Sequence, residues 1–182
     1  MAFDDIVWPD GEDNIGGTAQ SHFYIPIKNI TVLPVPINTS NLNKVSISAD
    51  IEVGVGKKFF KLYSTMDTGM VNSKMVGEVD GKSWENSFEF FFPGTREEAL
   101  AIIATWANSN MLFIPVEADG QKRIIGNAKF PAKLMLADGS TGAKTADRKG
   151  IKLRVESRDV IPAPIYKGIV PTEIIEPPPD ED

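Results

Sequence analysis

Residues 81–131 decide the fold class, because a strand, a helix and a hairpin follow one another there. The stretch reads GKSWENSFEFFFPGTREEALAIIATWANSNMLFIPVEADGQKRIIGNAKFP, from Gly81 to Pro131. Its first part alternates with a period of two, which is typical of a strand with one buried face. We therefore predict a central strand whose inner face carries Trp84, Asn86, Phe88, Phe90 and Phe92.

A single helix is predicted next, from about Thr95 to Asn108. The Thr95 hydroxyl can cap the backbone N–H of Glu98 while the Glu98 carboxylate reaches back, which is the capping-box arrangement. Apolar residues then recur at helical spacing and predict a stripe that packs along a sheet. That stripe comprises Leu100, Ile102, Ile103, Ala104, Trp106 and Ala107.

Alternating or turn-bounded segments predict further strands outside this region. Ala118–Gly120 separates two of them and indicates a hairpin. The predicted strands lie within SHFYIPI from Ser21, Val45–Ile51, Lys57–Tyr63, Met111–Glu117, Gln121–Phe130 and Ile151–Glu156. Many short antiparallel strands with one helix predict a mainly β protein, an antiparallel β-sandwich or barrel with a flanking helix and extended terminal arms.

Length and composition favour one globular domain between two arms. The chain has 182 residues, 42% of them hydrophobic. We predict an N-terminal acidic arm at 1–20, a β-sandwich domain at 21–160 and a Pro-rich acidic arm at 161–182, with a long connection at Ser64–Lys82. The start is unlike a secretory signal and the longest apolar run is too short to span a bilayer, so we expect a soluble chain without membrane contact.

The charge is divided between acidic ends and a basic body. Ten of the 25 acids lie in 1–17 and 172–182, where there is no base, and the remaining 15 stand against 19 Lys and Arg, so the body carries +4. Residues 121–167 hold eleven bases and four acids. Three interpretations of this basic stretch are open: a solvated strand face, a docking surface for a partner's acidic arm, or nucleic-acid binding, which the scarcity of interleaved aromatics disfavours.

The search for catalytic or metal-binding chemistry is negative, and we predict neither an enzyme nor a cofactor. Cysteine is absent and His22 is the only histidine, which argues against a thiolate metal site and a histidine-based triad. GVGKK at Gly54 is similar to a phosphate loop but lacks its first glycine and its Ser or Thr. The paired carboxylates Glu97 and Glu98 are better explained by helix capping than by glycoside hydrolysis.

The order of these features resembles the major tail tube proteins of tailed bacteriophages. The resemblance covers roughly Gly77–Gly168. It is carried by GEVDGKSWEN, FFFPGTREEALAIIATWANSN, MLFIPVEADGQKRIIGNAKFPAKL, STGAKTADRKGIKLRVESRD and PAPIYKG.

This resemblance implies assembly of identical copies. Six copies would close into a ring, and rings would stack head to tail into the virion tail tube that conducts the genome, with DNA in transient, non-specific passage. Further expected partners are tape-measure and tail-terminator or baseplate proteins, and synthesis is expected in the host cytoplasm. The expected assembly residues are Asp4, Asp5, Trp8, Asp10, Ser64, Met70, Lys82, Arg148, Lys149, Tyr166, Glu173 and Glu176.

Two alternatives are open. A carbohydrate-binding β-sandwich would use exposed aromatics, and Trp8, Trp84 and Trp106 are the candidates. A different virion component, such as a head-decoration or connector protein, would share the same strand pattern.

Overall fold

The computed structural model describes residues 5–8, 10–37 and 44–174. The protein is mainly β, with antiparallel sheets and one α-helix, as the sequence predicted. The strands are β1 (Ser21–Pro26), β2 (Ile30–Val32), β3 (Ser46–Ile47), β4 (Glu52–Val53), β5 (Phe60–Tyr63), β6 (Met70–Val76), β7 (Ser83–Pro93), β8 (Met111–Ile114), β9 (Lys122–Arg123), β10 (Lys133–Ser140), β11 (Gly150–Asp159) and β12 (Ile165–Tyr166). The helix α1 spans Glu97–Trp106, and a short 3-10 turn spans Ile27–Asn29.

The largest sheet has the order β10-β11-β7-β6, and every pairing in it is antiparallel. The strand β7 is interior to this sheet, as its aromatic alternation predicted. Phe88 and Phe90 are buried on its inner face and stack with ring centroids 4.8 Å apart. The register places Val155 opposite Phe88 and Leu153 opposite Phe90, so two neighbouring strands contribute one continuous apolar face.

Smaller sheets cover that apolar face and build the rest of the core. The sheet β5-β1-β8 contributes Leu62 and Phe113 to the same cluster as Phe88 and Leu153. A second cluster lies between β1, β8 and the sheet β3-β12-β9, where Ile25 and Tyr166 are buried. Within the described residues no sheet closes on itself, so the arrangement is sandwich-like with open edges.

The predicted helix is present, but its start and its buried face differ from the prediction. Arg96 occupies the N-cap position, and no side chain caps the helix, so the capping box at Thr95 is wrong. Leu100 is 47% exposed and Ile102 is 42% exposed, whereas Trp106 is the only buried residue of the helix. The helix therefore contacts the sheets mainly through its C-terminal end, and most of the predicted stripe faces solvent.

The predicted connection at Ser64–Lys82 contains a strand. Its central part is β6, which pairs with β7 from Met70 opposite Glu89 to Val76 opposite Ser83. The sequence MVNSKMV has no sustained apolar alternation, because no side chain of β6 is fully buried. Conversely, the predicted strand Val45–Ile51 is reduced to the two residues of β3. Ile47 and Ile51 are buried, but Ala49, on the same predicted face, is exposed.

The predicted hairpin around Ala118–Gly120 is confirmed. The Glu117 N–H donates to the Gln121 carbonyl at 2.7 Å, and the Gly120 N–H donates to the Glu117 carbonyl at 3.0 Å. Gly120 adopts a φ of +90°, which favours glycine at that turn position. The hairpin is irregular, since β9 is only two residues long and pairs with β12.

The C-terminal segment 161–182 was predicted as an extended arm, and its first half belongs to the domain instead. Tyr166 is buried, and β12 pairs with both β3 and β9. The Pro171 carbonyl accepts the N–H of Phe59 at 2.8 Å, so the chain is tied to the body up to that residue. Apolar residues between the prolines account for this, because Ala163 packs into the first core cluster and Tyr166 into the second. Residues 175–182 of the predicted arm lie outside the described residues.

The predicted N-terminal arm, 1–20, is exposed over most of its described part. Residues 5–8 and 10–17 are exposed. The chain joins the body at the Thr18 bridge to Glu117 and at the Ala19 N–H, which donates to the Val116 carbonyl at 2.9 Å. Among the described helices, none has the length and apolar character needed to cross a membrane.

Candidate assembly surface

One face of the largest sheet is polar and nearly balanced in charge. Residues directly opposite each other in antiparallel strands share a face, so the registers assign these side chains to the side away from the core. Five bases lie there, Lys74, Lys133, Lys152, Arg154 and Arg158, together with four acids, Glu85, Glu89, Asp138 and Glu156. The face therefore carries a net charge of about +1, which is small for nine ionised groups.

Ion pairs neutralise the centre of this face. Arg154 contacts three carboxylates: Glu85 at 3.5 Å, Glu89 at 3.5 Å, and Glu156. Arg158 lies 2.8 Å from Glu85. These side chains are partly exposed, so each pair contributes little to stability.

The same ion pairs account for part of the basic stretch 121–167. Lys152, Arg154 and Arg158 contact acids of their own chain, and Arg123 binds Glu117 at 2.7 Å. These four bases therefore belong to a partly solvated strand face and a hairpin, which was the simplest of the three interpretations. Docking of a partner's acidic arm on this stretch stays a prediction.

Both edges of the largest sheet are long and unpaired. The outer strands β6 and β10 have seven and eight residues. Within residues 44–174, no strand pairs with the outer side of either one. An edge strand that exposes a row of N–H and C=O groups is a template for pairing with another chain. Neither strand contains a proline, and the only irregularity is a register shift in β10 between Leu134 and Leu136.

His22 forms a buried hydrogen-bonded cluster away from this surface. Its Nδ1 accepts the N–H of Val116 at 3.0 Å, and its Nε2 lies 2.9 Å from the Ser64 hydroxyl, which donates to the Ala19 carbonyl at 3.3 Å. The neutral ring with hydrogen on Nε2 satisfies all three contacts. Burial lowers the pKa of His22 to about 4, an effect larger than the opposing one of the hydrogen bonding toward Ala19. The cluster ties the N-terminal segment to the body through Ala19.

The predicted assembly residues fall into three groups. Asp5, Trp8, Asp10, Met70, Lys82, Arg148, Lys149 and Glu173 are exposed, and Met70 begins the unpaired strand β6. Ser64 and Tyr166 are each 1% exposed, so their side chains belong to the interior and are withdrawn as surface contacts. Asp4 and Glu176 lie outside the described residues.

Local contacts explain the position of two of the exposed residues. The Lys82 Nζ donates to the Gly77 carbonyl at 2.6 Å, across the turn between β6 and β7. The Arg148 guanidinium lies 5.5 Å from the centroid of the Phe91 ring, on the polar face of β7. These residues are therefore held at opposite ends of the largest sheet and do not form one cluster.

Sequence reasoning missed the two unpaired edges and the ion-pair cluster. A signal for the cluster was present, since Lys152, Arg154, Glu156 and Arg158 alternate with apolar residues, as Glu85 and Glu89 do. The pairing partners lie far apart in the chain, and a list of charges does not reveal them. No group of three or more His, Asp or Glu residues within the described ranges is placed to hold a metal ion.

Comparison of the chain with protein-family models, with curated proteins and with solved structures found no match.

Proposed function

We propose that this chain is a structural virion protein, the subunit of a bacteriophage tail tube. The observation that carries the proposal is the open four-stranded antiparallel sheet with one apolar face on the core, one charge-balanced face toward solvent and two long unpaired edges. The resemblance to major tail tube proteins suggests the ring and tube into which such a sheet would assemble.

The strand directions suit closure into a ring. Four antiparallel strands alternate in direction, so β6 runs opposite to β10 within one copy. When the next copy is placed beside β6 in the same orientation, its β10 lies antiparallel to β6. Repetition around an axis then extends one antiparallel sheet without a change of pattern, and closing the ring satisfies both edges of every copy.

The dimensions of the closed sheet agree with a conduit. Six copies of the four-stranded sheet give 24 strands. Strands about 4.8 Å apart and tilted by about 40° would close into a barrel about 50 Å across between backbones. Side chains reach about 5 Å inward, half of the roughly 10 Å between packed sheets, and leave a channel of about 40 Å that admits a DNA duplex.

The polar face has the charge that a DNA conduit requires. Phosphate binding by Lys and Arg makes affinity depend on the number of unneutralised bases. In this sheet Arg154 forms ion pairs with Glu85, Glu89 and Glu156, so acids of the same chain neutralise the central base. A wall of such faces binds DNA weakly and lets it slide.

Stacking of rings would use the remaining exposed segments. A head-to-tail contact along the axis repeats without closing and therefore gives a filament. The acidic N-terminal segment at 5–17 and the exposed Glu173 are the candidates for contacts between copies. Tape-measure and tail-terminator or baseplate proteins would bind the ends of the tube.

A carbohydrate-binding module is less well supported. Such a module presents exposed aromatic rings to its ligand, and Trp106 is only 4% exposed while Trp84 is partly buried. Trp8 is the exposed one of the three.

Electron microscopy of the purified protein tests the proposal. We expect rings or tubes of uniform diameter, and their absence over a wide range of protein and salt concentration would contradict it. The strand β6 already carries Lys74 on its charged face, and Met75→Lys adds a charge on the opposite face, where Met75 pairs with Trp84 and is 52% exposed. An isolated copy tolerates this charge, whereas a neighbouring copy paired to β6 would cover it. We expect this variant to stay monomeric and folded.

The matched control is Val55→Lys, which adds the same charge in the turn before β5. Val55 is 62% exposed and lies off the sheet edges. We expect tubes from the control. Tubes from Met75→Lys, or loss of tubes in both variants, would refute the edge pairing.

A further inference from the structure

Three consecutive apolar residues near the N-terminus project into solvent. Ile6 is fully exposed, Val7 is 77% exposed and Trp8 is 66% exposed. Isolated apolar residues on a surface are common, but a run that ends in a large aromatic is typical of an interaction site. Acids flank this run, with Asp5 before it and Asp10 after it, and no base lies between residues 1 and 17.

An open apolar groove lies elsewhere on the molecule. It has a volume of about 610 Å³ and is bounded by residues 33–36 after β2, the strand β3 and the loops that follow β9 and β11. Its apolar lining includes Leu33, Val35, Ile47, Ile124, Phe130 and Val160. Val35 is 72% exposed and Val160 is 80% exposed, so the groove continues into an apolar rim.

The groove and the segment are complementary in size and charge. Grooves of 300–1,000 Å³ accommodate ligands of the size of a few side chains, and one buried tryptophan contributes roughly 150–250 Å² of contact. The charged residues that line the groove are Lys44, Lys129 and Asp159, an excess of one base. Residues 5–13 carry four acids, so an extended Ile6–Trp8 would bring acids near Lys129 of the groove.

We infer that the groove binds residues Ile6–Trp8 of a second copy of this chain. The inference deepens the proposed function, on which it rests, by naming the segment and the groove that join two copies. Among residues 5–8, 10–37 and 44–174 the segment is exposed and the groove is open, so both can contact a neighbour. A chain that offers a segment at one place and receives one at another forms a head-to-tail contact, which propagates.

Disulfide trapping in the full chain tests this inference, because the sequence contains no cysteine. Chains with Val7→Cys are mixed with size-tagged chains that carry Ala128→Cys in the groove lining, and oxidised glutathione is added. A bond forms only when the two Cα atoms approach within about 7 Å. Docking raises the effective concentration of the thiols toward the millimolar range, so we expect the mixed dimer to form at least about tenfold faster than with a control pair.

The control pair replaces Ala128→Cys by Val79→Cys, in the exposed turn between β6 and β7. A second variant adds Trp8→Ser to the Val7→Cys chain, and we expect its trapping rate to fall by about tenfold or more, since aromatic anchors dominate such contacts. Equal rates for the groove and control pairs would overturn the inference. So would an intramolecular bond in the double variant Val7→Cys with Ala128→Cys, which would assign the segment to its own groove.

The same samples, viewed by electron microscopy, separate the two proposals. Tubes without trapping at the groove would overturn this inference and leave the proposed function standing. Trapping at the groove without rings or tubes would support the inference and contradict the tube.

Discussion

Acidification should destabilise the folded chain through His22, the only histidine of the sequence. The ring is fully buried, and its Nδ1 already accepts the N–H of Val116. If Nδ1 were protonated, its N–H would point at the N–H of Val116, so two hydrogen-bond donors would oppose each other. The Phe88 ring, whose centroid lies 4.8 Å away, offers no compensating charge.

The magnitude follows from the pKa of the two states. His22 has a pKa of about 4 when folded and an ordinary value of 6.5 when unfolded. The unfolded chain therefore binds the proton more readily. The stability that depends on a neutral His22 is complete above about pH 6.5 and is lost as the pH falls toward 4. Between pH 7 and pH 5 the free energy of unfolding should decrease by about 2 kcal/mol through this group.

A nuclear magnetic resonance titration of the imidazole measures this directly. One histidine gives one set of ring signals, so no assignment is needed. We expect a pKa near 4 for the folded chain and near 6.5 in concentrated urea. The nitrogen shifts at pH 7 should report hydrogen on Nε2, the form that the contacts with Ser64 and Val116 require.

A folded-state pKa at or above 6.5 would refute the reasoning. The matched control is His22→Gln, studied by urea unfolding at pH 7 and pH 5, where few carboxylates titrate. Its free energy of unfolding should change by about 2 kcal/mol less between the two values than that of the unaltered chain. Equal changes in both proteins would place the acid sensitivity elsewhere.

Two further predictions concern stability, and urea unfolding checks both. Tyr166→Phe should lower the free energy of unfolding by about 1–3 kcal/mol, because the buried hydroxyl accepts the Ile51 N–H at 3.0 Å and donates to the Ile169 carbonyl at 2.7 Å. The control Tyr63→Phe changes an exposed ring and should lower it by less than about 0.5 kcal/mol. Equal losses of stability in the two tyrosine variants would contradict the prediction for Tyr166. Leu153→Ala should cost about 2–5 kcal/mol, since the side chain is 1% exposed, and Leu100→Ala on the solvent face of α1 should cost well under half of that. A loss of stability in Leu100→Ala as large as in Leu153→Ala would instead support the apolar stripe of α1 that the sequence predicted as buried.

Local pattern was enough where one face of a strand is covered by the core. The alternation from Trp84 to Phe92 predicted β7 and its inner face, because a strand with one covered face buries every second side chain. The hairpin at Gly120 was predictable for a similar reason, since its turn needs a residue that tolerates a positive φ. The existence of α1 followed from helical spacing, but its cap and its buried residues did not, because they depend on where the sheets lie.

The sequence by itself determined the fold class, the order of the main elements and the division between acidic ends and a basic body. Only the tertiary structure decided that β6 is a strand, that β6 and β10 are edges, and that residues 163–171 are tied to the domain, with Ala163 and Tyr166 in its core. It also joined Arg154 to Glu85, which lie 69 residues apart. The physical reason is that alternation records whether a side chain is buried, while edges, ion pairs and grooves depend on which distant segments come together.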